Sequence, residues 1–214
     1  MVDFQSRDTN RGGLRGDDDT DDDAGDDDTD DPEDAASSED PAAATADDGA
    51  ATTTVSAAVV SVSDTRSHDD DPGGEAVVDA FEAAGHDVVT REVLRTAHDS
   101  VQQTIDTLVR REDVTVVVTT GGTGVGPRDV TIDAVHPLVD KGLPGFGELF
   151  RRRYAESVGT DAIGTRATAG VAETTPVFCL PGDPDAARLG VSEIVVEQAE
   201  RLATLAASDG ASDA

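Results

Sequence analysis

From residue 55 onward the apolar positions switch repeatedly between the continuous runs of buried strands and the three-to-four-residue spacing of amphipathic helices. Residues 55–63 (VSAAVVSVS) predict a first strand, and the polar, turn-rich stretch 64–74 a loop. Ala76, Val77, Ala80, Phe81 and Ala84 then recur on one helical face, with Gly85 placed to end the helix. Residues 86–94 (HDVVTREVL) predict a second strand. Asp99 followed by Gln102 has the spacing of a capping box, opening a helix whose apolar face is Val101, Ile105, Leu108 and Val109. The β-branched run Val116, Val117, Val118 and Thr119 predicts a buried strand that enters a turn holding Gly121, Gly122, Gly124 and Gly126, before a helix begins near Thr131. Residues 132–139 and 146–154 predict further helices, 167–171 fit either state, and 176–180 predict a last strand. Pro181, Gly182, Asp183 and Pro184 make a second strand-to-helix turn, with Asp183 as N-cap and Pro184 at the first helical position. The final helix carries Val191, Ile194, Val195, Leu202 and Leu205.

Strands alternating with helices predict an α/β domain over residues 54–206, three layers deep (α/β/α), with a mostly parallel sheet. In such sheets ligands sit beyond the carboxyl ends of the strands, where both glycine turns fall. The sequence contains no internal repeat.

Composition changes the picture at the ends of the chain. The first 50 residues hold 19 Asp or Glu against three Arg, and residues 17–34 contain nothing aliphatic larger than alanine. Such a segment cannot bury enough apolar area to offset its ordering entropy, so residues 1–53 read as an acidic disordered tail and 207–214 as a short C-terminal one. Asp19, Asp21 and Asp23 fit the first half of a calcium-binding loop, but Ala24 stands where glycine is needed and no glutamate closes it. A solvated, self-repelling tail is the better reading.

The rest of the chain is acidic too, with 27 acids against 13 bases. One lysine, Lys141, against 15 arginines, with aspartate abundant throughout, is the composition of adaptation to a salt-rich cytoplasm. This charge argues against nucleic acid as a partner, since no basic stripe is present. The N-terminus has no apolar signal-peptide core and no stretch is long and apolar enough to span a membrane, which points to a cytoplasmic protein. The single cysteine, Cys179, lies in an apolar run and reads as core packing. The four histidines show no metal-ligand spacing.

The strand, glycine turn and helix start around residues 116–133 make an anion site, phosphate being the obvious guest. A Walker loop is excluded because Lys141 lies outside the turn. The dinucleotide fingerprint fails on spacing, with Pro127 or Asp129 where its last glycine belongs.

TTGGTG at residues 119–124, followed by RDVT at 128–131, resembles the molybdopterin-binding loop of the molybdopterin adenylyltransferase family. SVSDTR (61–66), LPGFGELFR (143–151) and LPGDPDAAR (180–188) extend the resemblance in the family's order, so that it covers roughly residues 55–205. It implies a molybdopterin-binding fold, adenylyl transfer from ATP to molybdopterin with Mg²⁺, a homo-oligomer (trimer or hexamer), and the molybdate insertase as a partner. The alternative is a non-catalytic protein that stores or delivers the pterin. The site expected from it draws on Thr120, Gly121, Gly122, Thr123, Gly124, Arg128 and Thr131 for phosphate, with Asp129 as metal ligand and catalytic group unless it only caps the following helix. Asp64 joins as a second catalytic acid, and Asp71, Gly145, Gly147, Glu148, Pro181, Gly182 and Asp183 as substrate-binding positions. Three positions depart from the family pattern: Ala97 where an acid is expected, Gly73 in place of a serine, and Asp185 in place of a lysine.

Overall fold

Strand β1 (Ser56–Val62) is central because its side chains are apolar on both faces, and all but the first of its residues are buried. Around it stand β2 (Asp87–Leu94), β3 (Val116–Thr120), the two-residue β4 (Lys141–Gly142), β5 (Thr168–Ala172) and β6 (Thr175–Leu180), in the spatial order β2-β1-β3-β6-β5-β4. The first four strands in that order run parallel, and β5 is antiparallel to both its neighbours. The ambiguous segment 167–171 is therefore a strand, turned back into β6 through Glu173, whose φ is +54°. The computed structural model describes residues 54–208, so the expectations for 1–53 and 209–214 lie outside the described residues.

The period of two along the strands splits the core into two halves. Ala57, Val59, Val116, Val118, Phe178 and Leu180 face one way, toward α1 (Pro72–Ala83), α4 (Pro144–Val158), α5 (Pro184–Gly190) and α6 (Val196–Ala207). Ala58, Val60, Val117, Val177 and Cys179 face the other, toward α2 (His98–Val109) and α3 (Thr131–Val135). Phe81, Phe150 and Phe178 are the largest fully buried side chains, and truncating one to alanine costs about 3–5 kcal/mol. The predicted three-layer α/β/α arrangement with a mostly parallel sheet is the observed one.

Several local expectations are corrected. No capping box forms: α2 starts at His98 with Ala97 at its N-cap, so Asp99 falls inside the first turn and faces solvent. The helix expected over 132–139 is five residues of α3 followed by a 3₁₀ turn, His136–Leu138, because Pro137 has no N–H to continue the α pattern. Helix α4 opens at Pro144, two residues before the expected start, and Glu148 lies within it. A π turn, Val191–Val195, separates α5 from α6. Beyond it the apolar seam ends with half-buried Leu202, leaving Leu205 55% exposed. Ala84 lies past the end of α1 and is exposed, while Gly85 follows at φ +79° as the predicted stop.

Candidate functional site

The turn after β3 is built by two left-handed glycines, Gly121 (φ +88°) and Gly122 (φ +65°). A side chain at Gly121 would run into the carbonyl of Val62, and one at Gly122 into the hydroxyl of Thr131. The loop is held from behind by its carbonyls. Thr131 donates its hydroxyl to the Gly121 carbonyl (2.7 Å) and its amide to the Gly122 carbonyl (3.0 Å). Arg166 donates its amide to Thr123 (2.8 Å) and its Nε to Gly124 (2.7 Å). In a trans peptide the N–H points opposite to the carbonyl of the same plane, so the amides of Gly122, Thr123, Gly124 and Val125 are turned away from these partners. Among the described residues none of the four has an internal acceptor. Gly121 does not add to the set, because its amide donates to Leu180 (3.0 Å) and ties the loop to β6. With α3 only five residues long, the loop amides rather than a helix pole supply the positive face.

A cleft of about 350 Å³ opens beside this loop, lined by Asp64, Thr96, Gly122, Gly126, Arg128 and Asp129 among others. Asp64 accepts from the amide of Thr96 (3.1 Å), from its hydroxyl, and from Arg128 (3.2 Å). The Thr96 hydroxyl first, then its amide, with Arg128 and Arg95 adding, hold the Asp64 carboxyl below its ordinary value. Arg128 is 80% exposed, and among the described residues its charge is tethered by that ion pair. Asp129 does not cap α3, whose N-cap is Val130 without a side-chain bond. Its Oδ2 instead accepts the Gly126 amide (2.7 Å) and closes the loop on itself, because Gly124 and Gly126 leave room for the carboxylate.

The remaining expected residues fall elsewhere. Thr120, Thr123 and Thr131 are buried beneath the loop. Asp71 is 4% exposed and caps α1 by accepting from Gly74 (3.1 Å), while it also accepts from Ser61 (2.5 Å) and pairs with Arg91 (3.2 Å). Ser61 in turn contacts Thr120 (3.0 Å), which makes this a buried brace under the glycine turn. At the second turn, Gly182 packs on Gly121, where an added Cβ would lie 3.0 Å from its Cα. Pro181 has no amide hydrogen, and Asp183 uses its carboxylate as the predicted N-cap on Ala186 (2.9 Å). Asp185 is paired with Arg188 at 3.7 Å. In α4, Gly147 lies against the carbonyl of Ala167, whereas Gly145 and Glu148 are exposed; none of the three lines the cleft.

Cys179 is fully buried, and burial pushes its thiol up to about 11, in keeping with core packing. A larger cavity, about 580 Å³, lies at the amino ends of β1 and β6, but none of the expected site residues lines it, and Arg110 there is paired with Asp106 and Glu173. Sequence reasoning missed Thr96 and Arg166; each sits in a segment far along the chain from the loop it serves, and neither carries a local pattern.

Two glycine turns that abut at the carboxyl edge of the sheet, with four loop amides that have no internal acceptor among the described residues, are the arrangement of an α/β domain with an anion site. Residues 58–201 match the family described as a probable molybdopterin binding domain, and the chain belongs to that family. It is 40% identical to molybdenum cofactor biosynthesis protein B of Bacillus subtilis (strain 168) over 139 residues, 64% of this chain and 82% of that one. The corresponding protein of Staphylococcus aureus (strain COL) is 42% identical over 146 residues, 66% and 86% of the two chains. A crystal structure of a molybdenum cofactor biosynthesis protein B superposes with a TM-score of 0.71 at 37% identity, covering 73% of this chain and 98% of that one. The tungsten cofactor synthesizing protein MoaB from Pyrococcus furiosus does so with 0.64 at 31%, covering 72% and 98%.

Proposed function

We propose that this protein works in molybdenum cofactor biosynthesis, holding the terminal phosphate of molybdopterin in the glycine loop and transferring to it an adenylyl group from ATP. A phosphate oxygen of the pterin attacks the α-phosphorus, the bond to the bridging oxygen breaks, and pyrophosphate leaves. The observation that carries the reading is the row of amides at residues 122–125, which have no internal acceptor among the described residues while the carbonyls of residues 121–124 are all engaged. Arg128 gives up Asp64 for an incoming phosphate, an exchange that costs little because the pair is exposed to solvent. That exchange also frees one side of the Asp64 carboxylate.

Among the described residues no group of three or more His, Cys, Asp or Glu is placed to hold a metal. The donor set nevertheless fits Mg²⁺, which commonly takes one or two carboxylates together with substrate phosphates. Asp129, with Oδ1 outside its loop bond, and Asp64 are the residues that would hold it. The ion would neutralise charge on the phosphates during transfer. A homo-oligomer, trimer or hexamer, and hand-over to the molybdate insertase belong to the same proposal.

The second reading, a pterin-binding protein without nucleotide chemistry, is favoured by the other turn. There Asp183 occupies an amide at the start of α5, Asp185 takes up the charge of Arg188, and Ala97 supplies no carboxylate near α2. Incubation with molybdopterin, ATP and Mg²⁺, followed by chromatography for adenylated pterin, separates the two. Metal-dependent product supports transfer, and stoichiometric pterin binding without product supports the second reading.

A further inference from the structure

The glycine loop has a strap outside the segments 61–66, 119–131, 143–151 and 180–188. Arg166 stands in the coil just before β5 and meets the loop with every polar group it has on that side. Its amide donates to the Thr123 carbonyl (2.8 Å), its Nε to Gly124 (2.7 Å) and one terminal nitrogen to the Asp129 carbonyl (2.6 Å). The same guanidinium pairs with Asp133 of α3, with contacts of 3.0 and 3.1 Å. The ion pair aims the guanidinium, and the planar fork then reaches two carbonyls at once, which a lysine ammonium on a flexible stem cannot reproduce. Three carbonyls around the loop from Thr123 to Asp129 are thereby turned toward Arg166.

We infer that Arg166 is a positioning residue for the pterin phosphate: by holding the carbonyls of Thr123, Gly124 and Asp129 it keeps the amides of Gly124 and Val125 turned away from itself and unpaired within the loop, and Asp129 at the cleft. The inference rests on the reading of this loop as the pterin site. Arg166 itself touches no reacting atom. Its effect on the ligand passes through peptide planes, since rotating one plane by half a turn would present an oxygen to the anion in place of an N–H.

The test uses the full chain with Arg166→Lys and Arg166→Met, and reads two quantities. In ligand-free protein, hydrogen exchange at the Gly126, Asp129 and Thr131 amides, all bonded within the loop, is expected to rise about tenfold or more in Arg166→Met while β1 and β3 stay protected. Molybdopterin affinity per folded molecule is expected to fall at least about tenfold in Arg166→Met and less in Arg166→Lys. Should Arg166→Met fail to fold, Arg166→Lys alone decides, since it keeps the charge and the Asp133 pairing but loses the fork. Loop exchange and pterin affinity both unchanged in a folded variant would overturn the inference, as would a drop in melting temperature with neither altered. If wild type binds no pterin, the functional reading fails and the positioning role with it. The exchange result then reports the strap separately.

Discussion

Asp129 is the residue on which two roles meet, because its carboxylate both closes the glycine loop through Gly126 and faces the cleft with Asp64 and Arg128. Replacing it with Asn keeps an oxygen that can accept the Gly126 amide, so the turn survives and pterin affinity is expected to stay within a few-fold of wild type. The charge that would hold Mg²⁺ is lost, and adenylyl transfer is expected to fall by at least about 100-fold. If the carboxylate served the loop alone, the same variant would lose about 1 kcal/mol of stability and keep its turnover per folded molecule. Melting temperature, pterin affinity and product formation on one preparation distinguish these outcomes. Asp71, by contrast, is fully engaged: a helix amide, a serine hydroxyl and an arginine surround it, and its part in the site is to hold Thr120 through Ser61. Removing one member of such a buried pair costs about 3–5 kcal/mol, more than any surface position in the molecule.

At the scale of elements, α2 carries a cation at the wrong pole, since His98 is its first residue and a helix N-terminus disfavours positive charge. The hydrogen bond to Asp99 first, with Asp133 adding, outweighs the cost of desolvation and raises His98 above its ordinary value near 6.5. A raised folded-state value means that the contribution to stability is complete below 6.5 and fades as pH climbs through the folded value. Urea midpoints of wild type and His98→Gln are therefore expected to differ at pH 6 and to converge by about pH 8.5. A constant difference across that range would mean that the histidine acts by packing rather than charge. The elements themselves were largely legible in the sequence where one local signal dominated: β-branched runs gave β1 and β3, and Asp183-Pro184 gave the start of α5. The Asp99–Gln102 spacing misled because tertiary packing of Val101 and Ile105 fixes where α2 begins, and a cap signal is weak against that. The π turn at Val191–Val195 is a register shift with no compositional mark. In the site, the glycines and Arg128 were legible as a motif. Thr96 and Arg166 were not, because their partners lie 32 and 42 residues away and only the folded sheet edge brings them together.

For the molecule as a whole, the question is which of two opposing salt effects wins. Exposed pairs such as Arg66 with Asp70, Arg110 with Asp106 and Arg153 with Glu193 lose strength as salt is added, but each is individually weak because solvent already screens it. Against them stands the surplus of 14 acids over bases among residues 51–214, which no internal pairing can remove. Two carboxylates about 8 Å apart repel by about 0.5 kcal/mol in unscreened water. At 0.1 M salt, with a Debye length of about 10 Å, roughly half of that survives, and at 1 M, with about 3 Å, almost none does. Summed over a surplus of this size the relief amounts to a few kcal/mol, more than the weakened pairs return. The melting temperature is therefore expected to rise by roughly 5–10 °C between 0.1 and 1 M KCl. Chelator should be present throughout, because divalent cations would bridge carboxylates and imitate screening. A melting temperature that falls over this range would show that the arginine pairs outweigh the surplus, and one that does not move would show that the charges stand too far apart to interact.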